Sequence, residues 1–267
     1  MGKRLSYLAA LFLAFLIVGS RLPIQPAAAK NISTARLDAD DLDPDSMAAL
    51  TRMGTYLRAL KAFQVVATTS RDEVLDDGQQ VQLDSKVNFL VRFPARLRVE
   101  VNSTEQHRLY LYNGKDFTVF AERVNYYATI PAPDTVGKLA IDVNEKYGLQ
   151  VPLEDLFFWG TPHSKEKDVT GALDVGASEV GGVTCEHYAF RQPGLDWQVW
   201  IQLGDYPLPR KLVLTTLTDD ARPQYSSVLD WNLAPSYNEA AFEFDPPSDA
   251  HKIALAKEEP APSGAEK

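Results

Sequence analysis

The first regular pattern in the chain is a stripe of apolar side chains with helical spacing. Its members recur every three or four residues: Met47, Leu50, Met53, Leu57 and Leu60. Such a stripe predicts an amphipathic helix lying on an apolar surface. Asp45 or Ser46 is the expected N-cap, because its side-chain oxygen can accept a free backbone N–H of the first turn.

From Phe63 onward, apolar residues alternate with polar ones, which predicts β-strands. The runs FQVVATTSRDEVL and QQVQLDSKVNFLVRF flank Asp77-Gly78, and HRLYLY and DFTVF are separated by Asn113-Gly114. Both dipeptides favour tight hairpin turns because their residues tolerate positive φ. The first half of the chain therefore predicts a meander of about six antiparallel strands.

Two short helices are predicted to interrupt this meander, within DTVGKLAIDVNEKYGL and VPLEDLFFW. Strands resume at residue 171, and AFEFDPP ends the fold. About eleven antiparallel strands with helical insertions predict an α+β protein built on one large sheet. A sheet of that size tends to curl and to enclose a lumen.

The stretch FLVRFPARLRVEV, residues 89–101, contains Pro94 in its middle. Proline has no N–H for a sheet ladder, so the stretch is predicted to form two strands with Pro94 at the bend. Period-two counting places Val87, Phe89, Val91 and Phe93 on one face and Arg92 on the other. The arginines at 92, 96 and 98 are expected to form a solvated outer face.

The first 29 residues have the pattern of an export signal. Lys3 and Arg4 precede the uncharged apolar run LSYLAALFLAFLIVG, and small residues at Ala27 and Ala29 form a cleavage site. Cleavage after Ala29 is predicted; the alternative is an uncleaved anchor, since the apolar run approaches the shortest membrane span. The predicted organisation is a signal peptide (1–29), a polar leader (30–44), one half-barrel domain (45–254) and a disordered tail (255–267).

Cysteine usage and charge narrow the function. No cysteine follows the apolar run, and Cys185 is the only one in the chain, so neither lipidation nor an internal disulfide is expected. Removing Lys3, Arg4 and Arg21 from the 27 basic residues leaves 24 against 36 acidic ones. Nucleic-acid binders usually present a basic face. The sequence therefore predicts a soluble periplasmic protein with no nucleic-acid partner.

Catalytic and metal-binding patterns are weak. The histidines do not pair at metal-ligand spacing, and there is no glycine-rich phosphate loop. Cys185 and His187 share a strand face and could form a nucleophile–base pair. The favoured alternative is a small buried thiol beside a polar residue. No enzyme activity and no cofactor are predicted.

Abundant aromatic and aliphatic side chains are the most prominent feature of this sequence. They predict a lumen that accepts an apolar ligand; the alternative is a lumen filled by the protein's own side chains. Trp197 and Trp200 lie on opposite faces of one strand, so only one of them can point inward. The candidate cavity residues are Val87, Phe89, Val91, Phe93, Phe117, Val119, Leu153, Leu156, Phe157, Trp159 and Trp200.

Several short motifs together resemble the bacterial outer-membrane lipoprotein carriers (LolA/LolB-like). They are the signal peptide, the helix ending in LRALKAF, the hairpin reaching Arg92-Phe93-Pro94, the pair LYLYNGKDFTVF and the closing AAFEFDPPSDA. The sequence looks most similar to an uncharacterised, predicted periplasmic branch with this fold. The resemblance implies an unclosed antiparallel β-barrel with helices forming a lid over a hydrophobic cavity that shields acyl chains.

One position departs from the carriers. In them, an arginine directly precedes the proline and bonds to the lid; here that position is Phe93. The expected function is a non-catalytic periplasmic binding protein or carrier for a lipid or other hydrophobic ligand, with lipoprotein acyl chains as one candidate. It would make transient contact with a membrane or with lipoproteins. The alternative is an envelope protein-interaction or scaffold module with a self-filled barrel.

Overall fold

The computed structural model describes residues 41–257, which fold around one large sheet. Its twelve strands are β1 (Ala62–Val74), β2 (Gln80–Arg92), β3 (Arg96–Ser103), β4 (His107–Tyr112), β5 (Asp116–Ala121), β6 (Tyr126–Pro131), β7 (Gly171–Val180), β8 (Val183–Gln192), β9 (Leu195–Gln202), β10 (Pro209–Thr216), β11 (Gln224–Asn232) and β12 (His251–Lys252). The helices are α1 (Pro44–Ala59), α2 (Val136–Tyr147) and α3 (Asp155–Phe158). Short 3₁₀ turns lie at Glu122–Val124, Lys165–Asp168 and Glu239–Phe242.

The sheet is open and almost wholly antiparallel. Its strand order is β12-β6-β5-β4-β3-β2-β1-β11-β10-β9-β8-β7, so β12 and β7 are its two edges. Among the strands of residues 41–257, β12 and β6 are the one parallel pair of neighbours. The predicted α+β fold, an unclosed antiparallel barrel with helices over it, is therefore confirmed, with twelve strands instead of about eleven.

Helix α1 begins one residue earlier than its predicted caps. Asp43 is the N-cap: its Oδ2 accepts the backbone N–H of Ser46 at 2.7 Å, and Pro44 occupies the first turn. The assignment of the cap to Asp45 or Ser46 was wrong, because proline suits the first helical position and leaves the residue before it to cap. The apolar stripe is confirmed, with Leu50, Met53 and Leu57 fully buried.

Both hairpin predictions and the bend at Pro94 are confirmed. Gly78 and Gly114 have φ of 84° and 88°, which glycine adopts readily. Strand β2 ends at Arg92 and β3 begins at Arg96, and these two residues are paired across the turn. The Phe93–Pro94 peptide in that turn is cis.

The arginines of β2 and β3 contact the C-terminal segment. The Oε2 of Glu239 lies 3.1 Å from Arg92 Nη2 and 3.4 Å from Arg96 Nε. Arg98 donates to the Ala241 carbonyl at 3.2 Å. The three arginines lie on the outer face and are partly exposed, as predicted, but they also hold residues 239–242 against the sheet, which was not predicted.

The core has two parts, both on the inner face, which is the side of the sheet that packs against the helices. The first lies between β1–β5 and the helices α2 and α3. The second lies between α1, α3 and strands β8–β10. Leu60, Leu153, Trp231 and Leu233 pack against both parts. Helix α3 therefore sits where the two parts meet.

The predicted signal peptide, most of the polar leader (residues 30–40) and the end of the tail (258–267) lie outside the described residues. Residues 41–43 of the leader join the fold, since Leu42 forms a parallel bridge with Ala172 of β7. Within residues 41–257, no helix combines the length and the apolar character needed to cross a membrane.

Candidate ligand-binding site

A cavity of about 500 Å³ lies between α3, the loop that follows it and the inner face of β9 and β10. Its apolar lining comes from both sides: Ile141, Phe158, Trp159, Leu195, Trp197, Leu212 and Leu214. Trp197 and Leu214 face each other across the β9–β10 ladder. Pockets for small ligands typically measure roughly 300–1,000 Å³ and are mostly apolar, so this cavity has ordinary ligand-site dimensions.

The roof of the cavity is residues 153–160, which we call the lid segment. Leu153 has φ of 51° and Gly160 has φ of 73°, so the chain turns sharply on either side of the single helical turn α3. Leu156 and Phe157 point into the core and are 2% exposed. Phe158 and Trp159 line the cavity. One turn of helix thus anchors the segment and presents aromatic surface to the void.

Arg58 of α1 holds the lid segment through its backbone. Its guanidinium donates to the Phe157 carbonyl at 2.9 Å and also to the Leu156 carbonyl. The same group lies over the ring of Phe93, 5.4 Å from its centroid. Carbonyls at the end of a helix have no partner within it, so Arg58 satisfies two groups that burial would otherwise leave unpaired. Burial lowers the pKa of the guanidinium from its usual value.

The lid segment is bonded to an arginine, Arg58, although residue 93 is a phenylalanine. The resemblance to the carriers implies a lid-bonding arginine just before the proline. In this protein an arginine from α1 donates to the lid segment instead, with Phe93 packed beneath its guanidinium. Arg58 and Phe93 thus form one set of contacts at the lid segment.

Two glycines bring α1 and the lid segment into backbone contact. A Cβ added at Gly54 would lie 2.7 Å from the Gly160 nitrogen, and one at Gly160 would lie 2.6 Å from the Gly54 carbonyl carbon. Real Cβ atoms do not approach backbone atoms so closely. The lid segment therefore rests directly on the helix at this point, beside the hydrogen bonds from Arg58.

Two residues of the cavity lining each contain a buried polar atom without a partner. Glu154 Oε2 and Trp197 Nε1 are inaccessible to solvent and have no hydrogen-bond partner in the described part of the chain. Burial raises the pKa of Glu154, and the neighbouring charge of Asp155 raises it further, while Lys165 lowers it. Burial likewise raises the pKa of Asp155, again opposed by Lys165. The lid segment thus places two carboxyl groups in surroundings that disfavour their ionisation.

Most of the predicted site residues lie elsewhere on the inner face. Within the first part of the core, Val87, Phe89, Val91, Phe117 and Phe157 are buried, and Phe93, Val119 and Leu153 pack against them. Leu156 and Trp159 belong to the second part. Among all these predicted residues, Trp159 alone also lines the cavity of about 500 Å³.

Trp200 is on the wrong side of the sheet for the role predicted for it. It lies opposite His187 and Lys211 in the β-ladders, and its ring stacks on the His187 ring with centroids 3.9 Å apart. The Lys211 Nζ covers it at 4.6 Å. Alternation correctly separated the two tryptophans, but it cannot tell which of two faces is the inner one. Trp197 is the one that lines the cavity.

Several residues that line the cavity were not predicted from the sequence: Ile141, Phe158, Leu195, Trp197, Leu212 and Leu214. A usable signal existed for β9 and β10: once Trp197 is assigned inward, alternation places Leu195 with it. Leu212 and Leu214 follow from the antiparallel register of β10. Nothing in the local sequence predicts that the loop after α3 turns over these strands.

Cys185 and His187 are not arranged as a nucleophile and its base. The Cys185 thiol is fully buried and contacts the Val183 carbonyl at 3.4 Å. Burial raises the pKa of this thiol, whereas an activated cysteine needs a lowered one. His187 Nε2 is bonded to Gln198 Oε1 at 2.9 Å. In residues 41–257 there is also no group of three or more His, Cys, Asp or Glu placed to hold a metal ion.

The fold and the site together define an open antiparallel sheet whose inner face is covered by helices over an apolar cavity. The chain belongs to the family described as predicted periplasmic protein (DUF2092), whose model matches residues 46–256. This match confirms the assignment of the sequence to a predicted periplasmic branch. No curated protein gave a significant match to the chain.

Several solved structures are similar to this one. Lipoprotein LppX of Mycobacterium tuberculosis aligns with a TM-score of 0.47 and 12% identity, over 73% of this chain and 100% of LppX. An uncharacterised conserved protein from Thermus thermophilus gives 0.44 and 13%, over 79% and 99%. A LolA superfamily protein from Nitrosomonas europaea gives 0.35 and 10%, over 74% and 97%.

Proposed function

We propose that this protein is a periplasmic binding protein or carrier for a lipid or other hydrophobic ligand, with lipoprotein acyl chains among the candidates. The observation that carries the proposal is the cavity of about 500 Å³ between the lid segment and strands β9 and β10. An apolar chain entering it would gain about 0.8 kcal/mol for each buried CH₂. Seven lining residues offer aromatic or branched aliphatic surface for such a chain.

The construction of the roof supports binding with release. The lid segment contains a single helical turn, attached to α1 by the Arg58 hydrogen bonds and the Gly54–Gly160 contact. The cavity is partly open to the surface, so movement of this segment would widen the exit for a ligand, and a few breakable contacts make such movement accessible. The motifs shared with the lipoprotein carriers favour the same class of ligand. Catalysis is not part of the proposal.

Binding of the neutral fluorescent probe N-phenyl-1-naphthylamine tests the proposal. Leu214→Trp should fill part of the cavity with the larger indole ring. The probe then has less space, so its binding should weaken at least about tenfold. The matched control is Thr215→Trp, the next residue of β10, whose side chain is on the opposite face. It should bind the probe like the unaltered protein, and thermal unfolding should show both variants folded.

Failure of the unaltered, folded protein to bind the probe or any fatty acyl compound would overturn the proposal. That outcome would favour the scaffold alternative, for which a stoichiometric protein partner should then be recovered. Equal loss of binding in Leu214→Trp and Thr215→Trp would show that the probe binds outside this cavity, which also contradicts the proposal.

A further inference from the structure

The cavity has a buried apolar end and an exposed polar mouth, and the inference drawn from them rests on the proposed function. Trp159, Trp197 and Leu212 line the buried end and are 7%, 6% and 2% exposed. Leu212 lies opposite Val199, four residues along β9 from the half-buried Leu195. Four residues of a strand span about 13 Å. The apolar lining of β9 and β10 therefore runs inward over that distance.

The mouth lies at the end of the sheet where β8 turns into β9. Three exposed residues border the cavity: Glu145 of α2, and His163 and Lys165 of the loop after α3. Gln192, at the end of β8, donates to the Lys165 carbonyl at 2.7 Å and so places this loop beside the turn. An apolar interior with polar groups at its opening suits a ligand whose tail enters and whose head group stays outside.

Hydrogen bonds fix the loop that closes the cavity. The Oε1 of Glu166 accepts from Ser164 Oγ at 2.8 Å and from the Gly160 N–H at 3.2 Å, so the loop is attached to the end of the lid segment. The bond from Gln192 attaches it to the sheet. With the lid segment closed, these bonds hold the walls of the cavity in place. Its volume of about 500 Å³ is therefore a limit on what the closed site can enclose.

That volume holds one ordinary acyl chain. A methylene group fills about 30 Å³, close to the share of one water molecule in the liquid, so the cavity has room for roughly seventeen carbons. Two chains of sixteen carbons need about 1,000 Å³ on the same scale, and three chains about 1,400 Å³. A second chain would remain outside in water, where its apolar surface opposes binding.

We propose that the ligand of this cavity is a single-chain amphiphile, such as a lysophospholipid or a fatty acid. Its chain lies against Trp159, Trp197 and Leu212, and its head group stays at the mouth beside Glu145 and Lys165. The site thus selects by the number and length of hydrocarbon chains. It excludes diacyl phospholipids and the complete triacyl anchor of a lipoprotein.

Uptake from mixed vesicles tests the number of chains. The vesicles consist of 1-palmitoyl-2-oleoylphosphatidylcholine with equal minor fractions of 1-palmitoyl-lysophosphatidylcholine and palmitate. Native mass spectrometry of the re-isolated protein should show one single-chain lipid per molecule and identify which of the two it is. Relative to the vesicles, the diacyl lipid should be depleted about tenfold or more in the bound fraction.

A series of lysophosphatidylcholines of increasing chain length tests the volume, with displacement of N-phenyl-1-naphthylamine as the readout. Each added CH₂ should tighten binding by up to about fourfold until the cavity is full. Beyond roughly seventeen carbons the affinity should level off, because further carbons lie outside the mouth.

Two variants should move this limit in opposite directions. Leu212→Ala removes three carbons from the buried end and should let the affinity rise for about three carbons more. Leu214→Trp should make it level off at a shorter chain, and it keeps the test open if Leu212→Ala does not fold. Thr215→Trp, on the opposite face of β10, is the control and should leave the limit where it is.

Binding of the diacyl lipid as readily as the single-chain lipids would overturn the inference and leave the proposed function standing. The same holds for an affinity that keeps rising well beyond roughly seventeen carbons, or for a limit that neither Leu212→Ala nor Leu214→Trp moves. A folded protein that takes up neither the probe nor any lipid would contradict the proposed function, and this inference would fail with it.

Discussion

At the scale of single residues, Arg58 and Phe93 connect the lid segment to α1 and to the turn before β3. The guanidinium of Arg58 reaches two backbone carbonyls and lies above the Phe93 ring. An aromatic face below a cation is a favourable support. The lid segment is therefore held from α1, with the turn before β3 supplying the surface on which the cation rests.

Replacing Arg58 with methionine should loosen the lid segment. The change removes two charge-assisted hydrogen bonds and keeps an apolar stem, so we expect the free energy of unfolding to fall by about 2 kcal/mol. Amide hydrogen exchange around residues 156–160 should accelerate. Urea unfolding and hydrogen exchange measure the two effects. Arg52→Met, at an exposed position of the same helix, is the control, and an equal effect of both variants would contradict the role of Arg58.

Part of this arrangement could be predicted from the sequence, but the bonds from Arg58 to the lid segment could not. The inward face of Val87, Phe89 and Val91 follows from alternation, and all three are buried. Phe93 lies past the end of β2, in the turn, and packs against the same part of the core, as alternation predicted. Arg58 lies in an ordinary helix pattern, and its reach to a segment 98 and 99 residues away depends on tertiary packing that no local pattern encodes.

At the scale of elements, the crossing of α1 over the lid segment depends on two glycines. An alanine in a helix interior normally stabilises it by up to about 1 kcal/mol relative to glycine. At Gly54, however, the added Cβ would lie 2.7 Å from the Gly160 backbone, so one element must shift. The backbones of α1 and the lid segment are thus in direct contact at Gly54 and Gly160.

Gly54→Ala should therefore destabilise the protein although it favours the helix. We expect the free energy of unfolding to fall by about 1–3 kcal/mol, the usual cost of overpacking. Gly137→Ala is the matched control in α2, because a Cβ there has nothing within 4 Å. It should leave stability unchanged or raise it slightly. Thermal and urea unfolding of both variants provide the test, and a stabilised Gly54→Ala protein would show that the contact is not tight.

Element prediction succeeded where the local pattern was strong. The stripe of α1, the alternating strands and the turns at Gly78 and Gly114 each have a physical signal within a few residues. The single helical turn α3 within VPLEDLFFW was also predicted, but the sharp turns at Leu153 and Gly160 and the contacts from α1 were not, because they depend on the tertiary fold. The same applies to residues 239–242, which the arginines of β2 and β3 hold.

At the scale of the whole molecule, the inner face is divided into a filled half and an open half. The half formed by β1–β5 is packed with α2 and α3, and it contains most of the residues predicted to bind ligand. The void lies on the other half, under the lid segment and against β9 and β10. Composition predicted enough apolar surface for a lumen, but only the path of the chain decides which part of it stays unfilled.

The central claim is that this void holds a hydrophobic ligand, and native mass spectrometry of protein purified gently from cells tests it most directly. Unaltered protein should retain a bound species that organic solvent extracts, whereas Leu214→Trp should be recovered largely without it and Thr215→Trp should retain it. A folded, unaltered protein recovered with no bound species, and taking up none when supplied with acyl compounds, would contradict the claim.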